Sequence, residues 1–120
     1  MFHQDYIMRQ IEMLTAAIAN LIFNRETAIH YEMRDEIKQA ETDILYLQIR
    51  TLLNENKINE AENWLFEMIN PQEPNHLIIA KDFYERLSKM SNAELEEHDF
   101  SKEEIRLGLK KIHELFTDEL

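Results

Sequence analysis

The chain has 120 residues, 44% of them hydrophobic, and carries 24 acids against 13 bases for a net charge of −11. That length suits one domain, the hydrophobic share excludes disorder by composition, and the acidic balance argues against general nucleic-acid binding. With no cysteine, disulfides, thiolate catalysis and cysteine-ligated metal centres are excluded; with one glycine and two prolines, turn-rich β folds are disfavoured. An all-α fold is expected, a single helical domain over 1–120 built as a small bundle of about four main helices.

Residues 4–23 are predicted as the N-terminal helix. Ile7, Ile11, Leu14, Ile18 and Leu21 recur at spacings of four and three, the a/d pattern of a helix seam. Met8, Met13, Ala17 and Ile22 widen the stripe, as burial in a bundle requires. The seam is therefore read first as a core face, with a homodimer contact through Leu14 and Ile18 as the second reading. Residues 24–41 keep a helical spacing only at Ile29, Met33 and Ile37 among charged neighbours, and are expected as a connector with one or two helical turns.

Residues 42–70 read as a helical hairpin at the centre of the bundle. Thr42 or Asp43 is the expected cap. Ile44, Leu45, Leu47, Ile49, Leu52 and Leu53 make its first helix apolar nearly all round, the pattern of a helix covered on two sides. Asn56 can take left-handed angles where that helix ends. The second helix places Ile58, Ala61, Leu65 and Met68 on one face, and Asn70-Pro71 ends it. Residues 74–119 hold the C-terminal helices. Pro74 suits a first turn, Ser91 and Ser101 each open with capping-box spacing, and Ile105, Leu109, Ile112 and Phe116 form the last inward stripe.

Leu45, Leu52, Ala61, Leu65 and Pro74, with the phrase Lys57-Ile58-Asn59-Glu60-Ala61, resemble one tetratricopeptide-type repeat. The departure is Ile49, where that repeat prefers a small residue. Such a resemblance implies a close antiparallel helix pair with Ala61 at the crossing. More of the chain resembles an uncharacterised family of short helical proteins from low-GC Gram-positive bacteria. The residues that carry it are Gln4 to Glu12, Lys57 to Asn63 and His98 to Ser101. It implies a bacterial, cytoplasmic protein and assigns no site residues.

Signs of chemistry are sparse. Glu73 and His76 form one Glu-x-x-His pair, whereas a carboxylate-bridged di-iron bundle needs two and further inward glutamates. Glu94, Glu96, Glu97, His98 and Asp99 read as a solvated charged face. Ser91 and Ser101 read as caps rather than nucleophiles, and one glycine cannot build a phosphate loop. No catalytic, cofactor or metal residues are assigned, and an enzyme is not expected. No apolar run approaches a membrane span, and MFHQDYIMR does not read as a signal peptide, so a cytoplasmic location is expected. Residues 1–24 offer Arg9 as the only lysine or arginine against Asp5 and Glu12, which disfavours anionic lipid.

Trp64 and Phe66 are the aromatic candidates for a protein partner, because successive helical residues point about 100° apart and cannot both join Leu65 in the core. The expected function is a non-catalytic interaction or regulatory module, using Trp64, Phe66, Leu14 or Ile18. The alternative is a small-molecule-binding bundle or an enzyme without a recognisable motif.

Overall fold

The computed structural model describes residues 2–29 and 36–118, and these are helical apart from short turns. In order they are α1 (Phe2–Ile29), α2 (Glu36–Asn54), α3 (Ile58–Met68), α4 (Pro74–Ser88), α5 (Asn92–Glu97) and α6 (Lys102–Asp118). The connector expected over 24–41 is a correction. Helix α1 continues to Ile29 and α2 begins at Glu36, leaving only 30–35 outside the described residues. Thr42 and Asp43 consequently lie inside α2 rather than capping it, and Thr42 is buried.

The helices are arranged around α4. Helix α1 lies along α6 and α4, α2 pairs with α3 and also touches α4, and α6 packs on α4. The hairpin α2–α3 was expected at the centre; α4 occupies that place. Its buried side chains, Leu77, Ala80, Phe83, Tyr84 and Leu87, meet inward residues from every other helix in one core. Phe83 and Tyr84 stack edge to face at 4.9 Å between ring centroids, within the range where aromatic pairs attract beyond their area.

Helix α2 is covered on one side only. Leu45, Ile49 and Leu52 are buried, but Ile44 is 57% and Leu47 62% exposed. Apolar residues all round a helix imply burial on two sides, and α2 departs from that expectation. The inward stripe uses only the i, i+4, i+7 set, and no described helix packs on the opposite face.

Two non-glycine corners hold the chain's direction. After α2, Asn56 takes φ 62°, and Lys57 N–H donates to Leu52 C=O at 2.8 Å while Asn56 N–H donates to Leu53 C=O at 3.0 Å. After α5, Asp99 takes φ 55°, and Phe100 N–H reaches Leu95 C=O at 2.9 Å while Asp99 N–H reaches Glu96 C=O at 3.1 Å. Both are Schellman closures, which satisfy carbonyls that a helix end leaves orphaned. Asn59 Nδ2 then donates to the Asp99 and His98 carbonyls at 3.2 and 3.4 Å, bracing one corner's helix against the other corner. Lys102 Nζ closes α4 onto α6 through the carbonyls of Ser88 and Met90 at 2.7 and 2.6 Å.

The caps of the last two helices follow their spacing. Ser91 and Glu94 form a reciprocal capping box, and Glu94 N–H is accepted by Ser91 Oγ at 3.1 Å. Glu104 N–H is accepted by Ser101 Oγ at 3.2 Å. Among the described residues, no helix is long and apolar enough to cross a membrane.

Candidate functional site

Two regions of the molecule gather polar chemistry, and both are built on α4. The first is sealed. Tyr84 is fully buried, and its hydroxyl donates to Glu62 Oε2 on α3 at 2.6 Å. The phenol lies across α6 at Gly108, where an added Cβ would fall 2.2 Å from Oη and 2.3 Å from Cζ. The chain's single glycine is therefore the residue that lets this ring through. Burial raises the Glu62 carboxyl above its ordinary value; the Tyr84 hydrogen bond lowers it, Glu104 raises it further and Lys111 opposes that. Burial, with the Glu62 charge added, also pushes the Tyr84 hydroxyl upward, so it stays a donor. The pair reads as a lock between α3, α4 and α6.

The second region is open. A hollow of about 350 Å³ lies between α2 and α4, lined by Thr42, Asp43, Tyr46, Asn75, Ile78, Ile79 and Asp82. A second, of about 310 Å³, lies between α1 and α4, lined by Ala19, Ile22, Ile78, Lys81, Asp82 and Glu85. The two share Ile78 and Asp82, one turn of α4, and so form a single trough with α1 and α2 as its walls. Asp82 pairs with Arg86 at 2.8 Å and Lys81 pairs with Glu85, both one turn apart on partly exposed side chains. Pairs of that kind contribute about 0.3–0.5 kcal/mol and exchange partners easily.

The residues proposed from sequence fall elsewhere. Ile18 is fully buried in the core and Leu14 is half-buried against it, so the seam faces the chain's own α4 and α6. Trp64 and Phe66 are both half-buried against the core. The Lys111 ammonium sits 4.5 Å from the Phe66 ring centroid, a cation–π contact that covers that ring. The Trp64 indole N–H is buried with no hydrogen-bond partner. Both rings are thus only partly open to solvent.

His76 is buried, and its Nδ1 accepts the Asn70 N–H at 3.0 Å, which closes the turn between α3 and α4. Burial lowers its pKa, against the pull of Glu73 and Glu41. This nitrogen is committed to the backbone, so the Glu-x-x-His spacing serves the turn. Around Ser91, Glu94 is held below the usual carboxylate range by its cap hydrogen bonds. Among the described residues, no group of three or more His, Asp or Glu side chains is placed to hold a metal ion.

A model of a family of unknown function, DUF6483, matches residues 1–117. The chain belongs to DUF6483. No curated protein matches it, and no solved structure does. In this DUF6483 chain, the segments that carried the family resemblance are structural. Ile7 and Ile11 enter the core from the first, Asn59 and Glu62 of the second reach the α5–α6 corner and Tyr84, and the third holds the left-handed Asp99. The trough escaped sequence reading because its lining comes from three helices. Its one sequence signal is the α4 row Asn75, Ile78, Asp82 and Glu85, an apolar residue set in a polar face.

Proposed function

We propose that this protein is a non-catalytic, cytoplasmic bacterial interaction module that recognises another protein through the α1–α2 side of the molecule. One observation carries the reading. Of the eight large apolar side chains exposed among the described residues, six lie on these two helices: Tyr6, Met13 and Phe23 on α1, and Ile44, Tyr46 and Leu47 on α2. Scattered exposed apolar residues are ordinary, whereas their concentration on one pair of helices marks a recognition surface. The repeat-like α2–α3 hairpin, with Ala61 fully buried, supports the same reading, because such hairpins present one helix face to partners. Against an enzyme, the most perturbed titratable pair, Tyr84 and Glu62, is spent on holding three helices together.

A specific feature of α1 favours a second form of the same function. Tyr6, Met13, Ala16 and Phe23 recur on its outer face, opposite the buried Ile7, Ile11 and Ile18. A second copy of the chain meeting α1 would use this outer row rather than Leu14 and Ile18. Sedimentation of the wild type and of Met13→Asp separates the two forms: a concentration-dependent dimer lost in the variant supports self-association, and a monomer at high concentration overturns it.

The module itself is tested by a photo-reactive amino acid placed at Leu47, at Met13 and, as control, at the exposed Lys110 of α6. Irradiation in the native cell is expected to give discrete protein adducts from the first two positions and none from the third. No adduct from either Leu47 or Met13 would overturn the reading.

A further inference from the structure

We infer that the α1–α2–α4 trough binds a short, basic, amphipathic helix of a partner protein, an inference that rests on the interaction-module reading. Shape comes first. The floor is the α4 row Asn75, Ile78, Asp82 and Glu85, whose spacings of three, four and three keep it on one side of the helix. Ten residues at 1.5 Å each give a floor of about 15 Å, or close to three helical turns. Helix-in-groove recognition uses apolar anchors at i, i+3 or i+4, and i+7, a span of about 10 Å, so one such helix fits along the floor. The hollows to either side of Ile78 then receive its anchors, one against Ile79 and Thr42 of the α2 side, the other against Ile22 and Ala19 of the α1 side.

Charge selects the sequence of that helix. The lining carries the acids Asp43, Asp82 and Glu85 against the single base Lys81, on a chain of net charge −11. Lysines or arginines flanking the anchors would meet Asp82 and Glu85, whose present partners, Arg86 and Lys81, are neighbours on their own helix in partly exposed pairs. An acidic helix of the same shape would be repelled. The walls also reject anionic lipid and nucleic acid for the same reason.

The test uses the whole protein and a fluorescein-labelled 14-residue peptide of leucines at i, i+4 and i+7 with lysines between, read by anisotropy. Three comparison peptides accompany it: the same composition scrambled, the lysines replaced by glutamates, and the unlabelled parent as competitor. The amphipathic lysine peptide is expected to bind saturably and to weaken with salt. Ala19→Arg, an exposed position that fills the α1-side hollow, and Asp82→Lys are each expected to weaken it by about tenfold, a loss of roughly 1.4 kcal/mol. Leu107→Arg, on exposed α6 surface, is expected to leave binding unchanged, and thermal melts establish that all three variants are folded. Equal binding of the scrambled peptide, or of Ala19→Arg and wild type, would assign the attraction to overall charge and overturn the trough. Photo-adducts at Leu47 or Met13 without peptide binding would overturn the trough alone, and loss of both would remove the module as well.

Discussion

The two sides of α4 are finished to different degrees. Toward α3 and α6, Tyr84 passes through a gap that only glycine leaves open, and its hydroxyl ends on a carboxylate with no room to spare. Toward the space between α1 and α2, Ile78 and Asp82 stand half-buried beside two hollows that no described residue fills. Close packing on one side and vacancy on the other divide the labour of the helix. The sealed side ties three helices together through one buried ring.

The largest expected effect breaks the sealed side. Gly108→Ala gains helix propensity of up to about 1 kcal/mol, so propensity alone predicts a more stable protein. The packing predicts the reverse. A methyl group at Gly108 would overlap a ring that is fully buried and cannot swing aside, and overpacking of this kind costs about 1–3 kcal/mol. Displacing the ring also strains a hydrogen bond to a charged group, of about 1.5–3 kcal/mol in net value. A net loss of about 2–3 kcal/mol is expected in urea unfolding, or roughly 4 °C of melting temperature per kcal/mol. An unchanged or raised midpoint would show that Tyr84 is not confined by α6.

A smaller effect sharpens the same side through pH. Glu62 has its carboxyl raised above 4.5, first by burial. An acid whose folded value is raised contributes stability below its unfolded value and loses that contribution as pH rises through the folded value. Above that folded value the wild type therefore bears a buried carboxylate. Glu62→Gln removes the charge while its amide oxygen still accepts from Tyr84. The variant is expected to gain most, relative to wild type, near pH 7, with the difference shrinking toward pH 4.5. His76, lowered by burial, works in the opposite sense, losing stability as pH falls below 6.5. It is present in both proteins and cancels from the difference. Chemical denaturation across that range measures it, and a difference that stays flat with pH would sink the assignment.

How far these two sides could be read from sequence differs for a physical reason. The helices after residue 57 follow local rules: Asn56 in its left-handed corner, Pro74 at the first turn of α4, Ser91 and Ser101 at their caps. The ends of α1 and α2 obey propensity rather than pattern. Arg25, Glu26, Ala28 and, past Glu36, Lys38, Gln39 and Ala40 are good helix formers that carry a helix onward without an apolar stripe. Tyr84 and Glu62 stand 22 residues apart, beyond any local rule, yet a lone glycine inside a helical pattern was a legible sign that something passes there. Trp64 and Phe66 are each half-buried against the core, a split between core and surface that helical spacing alone does not resolve. Ile44 and Leu47 differ in the opposite sense, since an exposed apolar residue and one buried by its own chain look the same in sequence.

The smallest expected effect falls on the open side. Ile44 and Leu47 project from the uncovered face of α2, so Ile44→Lys with Leu47→Glu removes no packing within the chain. Surface changes away from caps, cavities and buried networks stay within about 0.5 kcal/mol. Both substitutes are good helix formers, so α2 itself is not weakened. The urea midpoint of the double variant is expected to match wild type, while adducts from a photo-reactive residue at Met13 in the same variant are expected to fade if one partner spans both helices. Destabilisation comparable to that of Gly108→Ala would mean that α2 is covered within the fold, and the contrast between the two sides of α4 would then fail on the side assigned to recognition.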